Sequence, residues 1–210
     1  MPRKKQITVE ATYHGKPIMT DKAKQQGCCE PILARIEEQF EDMTKRHNKV
    51  LFMRYDTRFP SDFPPVHDNQ TFYRFQADFI KHLKRQGFDP HYVTVREQSR
   101  EKHQHYHGIL LLDGNKTQNI HGHIADAEAI WRRKLNIPPG RGLIDDCSTS
   151  RDGSPQKNGI MLRRDDPDYQ TKINQSFHWA TYLAKENQKS STPQGLRELF
   201  ASRIKKKREE

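Results

Sequence analysis

Cysteine is scarce in this chain and badly placed for chemistry. There are three, Cys28, Cys29 and Cys147. They form no C-x-x-C pair, and the adjacent two do not bridge each other readily, which argues against both a disulfide framework and a cysteine-built zinc site. Long apolar runs are missing too: nowhere is there the stretch of roughly 18 apolar residues that a membrane span requires. The opening Met-Pro-Arg-Lys-Lys has no apolar segment behind it, so the expectation is a cytoplasmic protein without membrane contact. A phosphate-binding loop of the P-loop type is absent, because Gly15-Lys16 runs into Pro17 and Gly114-Asn115-Lys116 lacks an upstream glycine at the required distance. That excludes a built-in ATP motor of this kind. No internal repeat is visible.

What the chain has instead is positive charge. Its 37 Lys and Arg residues outnumber 27 Asp and Glu, a net +10 over 210 residues, and an excess of that size points to phosphate partners, nucleic acid first. The length suits one core with tails.

Residues 1–27 are polar, basic and weakly periodic and read as a flexible arm, with Ile7 to Tyr13 a possible short strand. Ile32, Ile36, Phe40 and Met43 recur at helical spacing between Glu30 and Lys45. Val50 to Met53 begins a strand over 49–59. Phe72, Phe75, Phe79 and Leu83 mark an amphipathic helix with a basic outer side, ending at Gly87. The clearest hairpin joins a strand from His91 to Gln98 to an apolar strand from Gln104 to Leu112 through the polar turn Ser99-Arg100-Glu101-Lys102. A helix from Ile124 to Leu135, short strands over 143–147 and 159–164, and a last long helix from Gln170 to Gln188 complete the pattern; the Lys205-Lys206-Lys207-Arg208 run reads as solvated. The expected fold is α+β: a central antiparallel sheet of about five strands carrying the histidines, with flanking helices.

Two segments carry chemistry. His105 and His107 are one residue apart on a predicted strand, so both imidazoles leave the same face. Glu97 lies on the preceding strand with the parity of Val93 and Val95, which brings a carboxylate beside them. Two imidazoles and a carboxylate leave open positions on a divalent ion, where a phosphate can bind. His-x-His on a strand also occurs in structural zinc sites and by chance. A second instance, His121-Gly122-His123, competes for the role, but its glycine and expected loop setting make it less rigid. The other segment is Tyr182 with Lys185 and Lys189, spaced along one face of the last predicted helix; cations flanking a phenol suit covalent attack on phosphate. Arg54 and Arg58 share strand parity and are expected to flank the sheet edge as phosphate contacts, although ion pairs with Asp56 or Asp62 are an equal reading. Phe59, Phe63, Tyr73 and Trp179 are candidates for stacking unpaired bases, or simply core.

Taken together, Met53-Arg54-Tyr55-Asp56-Thr57-Arg58-Phe59-Pro60, Val95-Arg96-Glu97 with His103 through Leu111, and Tyr182-Leu183-Ala184-Lys185 resemble the HUH endonucleases that initiate rolling-circle replication. The resemblance is to the inovirus-type replication initiators of filamentous phages and prophages, and it spans about residues 50 to 189. It implies an HUH (Rep-like) fold with His105 and His107 binding Mg²⁺ or Mn²⁺, Tyr182 attacking the phosphodiester and Lys185 positioning phosphate or tyrosine. Glu97 as third ligand follows from spacing and strand parity alone. Tyr169 lies too far upstream to share a helix turn with Tyr182, which favours a single-tyrosine mechanism, while Tyr169 keeps the two-tyrosine alternative open. The implied partners are single-stranded or supercoiled origin DNA and a host helicase, in the cytoplasm of a bacterial host. The same chemistry serves a relaxase or a transposase, and the basic charge alone suits a non-catalytic DNA-binding regulator. The domain plan is an arm over 1–27, an HUH domain over 28–189 and a basic tail over 190–210.

Overall fold

Alternation along three strands decides the architecture. A computed structural model describes residues 6–66, 68–97, 104–150, 152–186 and 195–204. In chain order, β1 (Ile7–Thr8), β2 (Thr12–Tyr13), β3 (Lys16–Pro17) and β4 (Cys28–Cys29) precede α1 (Glu30–Arg46). Then come β5 (Lys49–Thr57), α2 (Gln70–Arg85), β6 (His91–Glu97), β7 (His105–Asp113) and α3 (Ile120–Leu135). The chain closes with β8 (Ile144–Asp145), β9 (Ile160–Arg163), α4 (Tyr169–Ala180), a 3₁₀ turn (Thr181–Ala184) and β10 (Leu199–Ala201). The protein is α+β; among the described residues four helices surround a six-stranded antiparallel sheet of order β10-β6-β7-β5, where β8 and β9 both pair with the outer side of β5.

Because side chains alternate across a strand, the sheet has two different faces. Leu51, Met53 and Tyr55 of β5 and Tyr106, Leu110 and Leu112 of β7 point one way, into Phe72, Phe75, Phe79 and Leu83 of α2 and Ala127, Ile130 and Trp131 of α3. Val50 and Phe52, Val93 and Val95, Ile109 and Leu111 point the other way, under Ile32, Leu33, Ile36, Phe40 and Met43 of α1 and Phe177 and Ala180 of α4. Continuing in the same parity, this second face stops being apolar: Phe52 is followed by Arg54 and Asp56, Val95 by Glu97, Ile109 by His107 and His105. The core becomes charged at one end of the sheet.

Gly108 fixes how tightly β5 and β7 meet there. A β-carbon at this position would lie 2.5 Å from the Tyr55 ring; glycine lets that ring lie flat across β7 and reach Gln76 Oε1 with its hydroxyl at 3.2 Å.

Both ends of the chain depart from expectation. The arm expected over 1–27 is folded from residue 6 onward: β1 pairs with β4, β2 with β3, Ile18 is buried, and Ile7 and Tyr13 pack on the core beneath α1. Its strands are two residues long, too short to show a period. The tail expected over 190–210 supplies the sixth strand, because Leu199-Phe200-Ala201 adds to the edge of β6 and Phe200 is buried against Phe72 and Tyr106. The Lys205–Arg208 run and the turn at Ser99–Lys102 lie outside the described residues.

Candidate active site at the charged end of the sheet

The hairpin of β6 and β7 sets the first part of the site. Glu97 is directly across from His105 and Val95 across from His107, while Asp56 of β5 faces His107 from the other side. Antiparallel register thus delivers two carboxylates to one imidazole. Asp56 Oδ1 is 2.8 Å from His107 Nδ1, and Glu97 Oε2 is 2.8 Å from His107 Nε2. Both approaches are short, yet neither lines up as a hydrogen bond: the two ring nitrogens and Asp56 Oδ1 are buried polar atoms without an aligned partner. Burial by itself would push the His107 imidazole down, but the Asp56 and Glu97 carboxylates override it and hold it up at about 9. Asp56 is pulled below the usual carboxylate range: its burial would raise it, but His107, then Arg54 and Arg58, outweigh that. His105 moves downward, through burial first and then the charges of His107 and Arg58, and so keeps the neutral form that binds metals.

The donor types present, two imidazoles and a carboxylate, suit a divalent cation in their chemistry. Neighbouring ligands of an octahedral ion with bonds of ~2.1 Å sit about 3 Å apart. The 2.8 Å between His107 Nε2 and Glu97 Oε2 is close to that edge. Asp56 on the opposite nitrogen occupies the place of the carboxylate that commonly orients a ligating histidine. The third donor, His105, shares the face, but among the described residues no group of three His, Cys, Asp or Glu side chains converges as a ready-made metal site. Cys147, buried near Asp56 with its thiol pushed up chiefly by burial, is not a thiolate donor.

The second part of the site comes from the far end of the chain. The Tyr182 ring meets the His107 ring edge to face with centroids 5.2 Å apart. The Arg54 guanidinium lies 4.4 Å from the Tyr182 ring centroid and Lys185 Nζ 5.3 Å from it. Tyr182 itself is half-buried, between the fully buried Thr181 and Leu183.

The backbone that presents Tyr182 is not the long helix expected over 170–188. Helix α4 ends at Ala180 and the chain tightens into the 3₁₀ turn. The Thr181 hydroxyl donates to the His178 carbonyl at 2.6 Å, an i to i−3 bond that favours the tighter turn. Lys185 then turns extended and bridges to Cys28, and the Glu186 amide donates to the Gly27 carbonyl at 3.0 Å. The Met19 amide donates to Thr181 Oγ1 at 2.9 Å. The N-terminal segment is therefore a clamp on the tyrosine turn. Lys185 reaches the ring, but not through helical i+3 spacing, and Lys189 lies outside the described residues.

The two arginines separate. Arg54 is 5 % exposed and stacked on Tyr182, with Trp179 at 5.4 Å and Asp56 at 3.8 Å. It does not flank a sheet edge, because β5 is interior, covered by β8 and β9. Arg58 lies past the end of β5, half-exposed, donating to Asp145 Oδ2 at 3.0 Å, where a phosphate has access. His121-Gly122-His123 is not in a loop but in the first turn of α3. There His123 Nε2 is 2.8 Å from Thr117 Oγ1 in the core and His121 points away, 80 % exposed.

Two participants escaped the sequence reading. Asp56 has the same strand parity as Arg54, a usable signal that was spent on an ion pair. Asn158 grips Arg54 through both backbone groups, accepting from its amide at 2.9 Å and donating to its carbonyl at 2.8 Å; nothing in the sequence marks it.

With the geometry in view, comparison with known proteins adds one match: residues 8–197 fit the family described as the YagK/YfjJ C-terminal domain. The chain belongs to that family. No curated protein and no solved structure matches it. The span of the YagK/YfjJ match takes in both the N-terminal clamp and the tyrosine turn, so the two parts of the site fall within one family domain. The family's description names a domain and no reaction.

Proposed function

We propose that this chain is a divalent-metal-dependent DNA strand transferase with an HUH (Rep-like) fold, which nicks single-stranded DNA through Tyr182 to initiate rolling-circle replication. The observation that carries the reading is the meeting of Tyr182 with His107 at 5.2 Å, with two cations on the tyrosine ring. A tyrosine that served only packing would gain nothing from a buried arginine, a lysine and a carboxylate-flanked imidazole around it, since burying charge is costly unless it is used. Net positive charge supplies attraction for the DNA backbone.

His107, Glu97 and His105 are the residues that would hold Mg²⁺ or Mn²⁺. The bound ion would neutralise charge on the scissile phosphate and polarise it. Asp56 orients the His107 ring. Arg54 and Lys185 bind phosphate oxygens beside the phenol, Arg54 as a pre-placed fork and Lys185 as a mobile point charge. The Tyr182 oxygen bonds to phosphorus, the bond from phosphorus to the 3′ oxygen breaks, and the phenol proton ends on that oxygen. The products are a 5′-phosphotyrosine and a free 3′-hydroxyl that primes synthesis. Attack by another 3′-hydroxyl reverses the step without ATP, and strand separation falls to a host helicase.

The test is a randomised pool of labelled single-stranded oligonucleotides incubated with Mn²⁺ or Mg²⁺, followed by denaturing electrophoresis and peptide mapping of protein-linked DNA. Wild type is expected to form an adduct on Tyr182 that chelation abolishes, and Tyr182→Phe none. An adduct with Tyr182→Phe displaces the nucleophile. DNA binding with no adduct under either metal leaves the regulator reading instead. Relaxase or transposase action would share the adduct and differ in the DNA products.

A further inference from the structure

Beside the tyrosine turn lies a hollow of about 220 Å³ lined by Gln156, Lys157, Gln175, His178 and Trp179; of these only Trp179 is among the candidate base-stacking aromatics. Pockets for drug-sized ligands run to roughly 300–1,000 Å³, so this smaller space takes one flat ring system and not a stretch of chain. Its lining is unusual for a hollow on a basic protein. Among the described residues it holds an aromatic face, an imidazole, two amides and one cation, with no carboxylate.

We infer that this hollow receives an unpaired nucleobase of the DNA strand whose phosphate lies at Tyr182. The inference rests on the strand-transferase reading for the phosphate and on the hollow itself for the base. The indole of Trp179 offers a half-buried stacking surface, and base stacking on an aromatic side chain is the common sequence-tolerant way of holding a single strand. Gln156 and Gln175 each carry a donor pair and an acceptor, the complement of a base edge freed from pairing. His178 shifts toward its neutral form, through burial first and the nearby Lys185 charge second, which leaves its ring able both to donate and to accept. Lys157 supplies a cation for the flanking phosphate.

Position joins the hollow to the reacting end. Trp179 on its wall is 5.4 Å from the Arg54 guanidinium, which also lies 4.4 Å from the Tyr182 ring. Trp179 and Tyr182 sit three residues apart, across the junction of α4 and the 3₁₀ turn. Gln156 and Lys157 of the lining lead into Asn158, whose two bonds to the Arg54 backbone tie that loop to the strand carrying the site. A base seated on Trp179 is thereby held next to a phosphate over Arg54 and Lys185.

Titration of Tyr182→Phe protein with oligo(dA) and oligo(dT), without metal so that no DNA is consumed, reads the site through tryptophan fluorescence. Trp131 is fully buried, so quenching by a stacked base reports Trp179. Saturable quenching is expected with both. Trp179→Ala should weaken binding, followed by anisotropy of labelled DNA, about ten-fold or more. Gln175→Ala and Lys157→Ala, both exposed and safe to change, should each weaken it about three-fold. Tyr73→Ala, an exposed aromatic on the other side of the sheet, should leave it unchanged. Absence of quenching, or unchanged affinity in Trp179→Ala and Gln175→Ala, overturns the inference. The two readings fail separately: a Tyr182 adduct in wild type with no effect at Trp179 removes the base pocket alone, while quenching without any adduct removes the strand transferase alone.

Discussion

His105-Tyr106-His107 and His121-Gly122-His123 are the same pattern on two different backbones. On β7, where side chains repeat every second residue, both imidazoles leave one face and meet Glu97 and Asp56 across the ladder. On α3, residues two apart diverge by about 200° around the axis. One imidazole is consequently in the core, 4 % exposed, and the other is in water. Two histidines make a site only when the backbone period aims them together. The strand pair is also surrounded by charge, the helix pair by Thr117, Phe88 and, farther out, Asp126 and Asp146.

The largest expected difference between them is in metal-dependent chemistry. His107→Ala should weaken Mn²⁺ binding at least ten-fold by calorimetry and cut adduct formation about a hundred-fold or more. His105→Ala should act in the same direction. His123→Ala should leave adduct formation per folded molecule unchanged and lower the denaturation midpoint, by about 1 kcal/mol for the lost Thr117 hydrogen bond and more if a cavity remains. If His123→Ala abolished metal binding and His107→Ala did not, the roles assigned to the two pairs would be reversed.

How much of this was legible depends on what fixes each element. The alternation of β6 and β7 is a local property, so the hairpin, the shared face of His105 and His107, and the place of Glu97 could all be read from spacing. Helices α1 and α2 were legible for the same reason. The tyrosine turn was not, because the local Thr181 bond to His178 is joined by distant ones: a bond from Met19 to Thr181 and a bridge from Cys28 to Lys185. Periodicity continued past Ala180, and the helical backbone did not; Lys189 lies outside the described residues. Arg54 was misplaced because its exposure depends on which strands flank β5, and β8 and β9 are too short to announce that they cover it. Strand β10 was missed because three apolar residues in a basic tail look like noise until an open sheet edge is known to be waiting for them.

Next in size is the effect of the glycines that accompany the two pairs. Gly108→Ala sets a methyl against the buried Tyr55 ring, which is held at its hydroxyl end by Gln76 and Thr94. Overpacking of this kind costs ~1–3 kcal/mol, read as a lower urea midpoint at unchanged slope. Gly122→Ala meets only the Asn119 side chain, which caps α3 by accepting from the Gly122 amide at 2.8 Å. Loss of that cap, about 1 kcal/mol, is offset by a gain in helix propensity of about the same size. The net change should be close to zero. Equal destabilisation by both substitutions would mean that β7 is not held to β5 as tightly as the Tyr55 contact requires.

The last expected effect is the response of stability to pH, and there His107 and His123, one from each pair, should differ in sign. His107 in metal-free protein is held up to about 9, above an unfolded value of ~6.5. Its contribution is fully present below about 6.5 and is lost as pH rises through 9. His123 is shifted the other way, by burial, with Asp126 only partly opposing it. Above ~6.5 both folded and unfolded His123 are neutral and pH has no effect through it. As pH falls below that value the unfolded chain takes up a proton that the folded core resists, so stability declines with acid. Melting temperatures of the metal-free wild type, His107→Gln and His123→Gln between pH 5 and 9.5 isolate the two terms. The loss caused by His107→Gln should shrink toward the alkaline end. The wild type should fall faster than His123→Gln on the acid side of 6.5. Parallel curves for wild type and His123→Gln would mean that the His123 ring can take a proton without leaving the core, which its 2.8 Å contact with Thr117 Oγ1 would then accommodate by turning the hydroxyl from donor to acceptor.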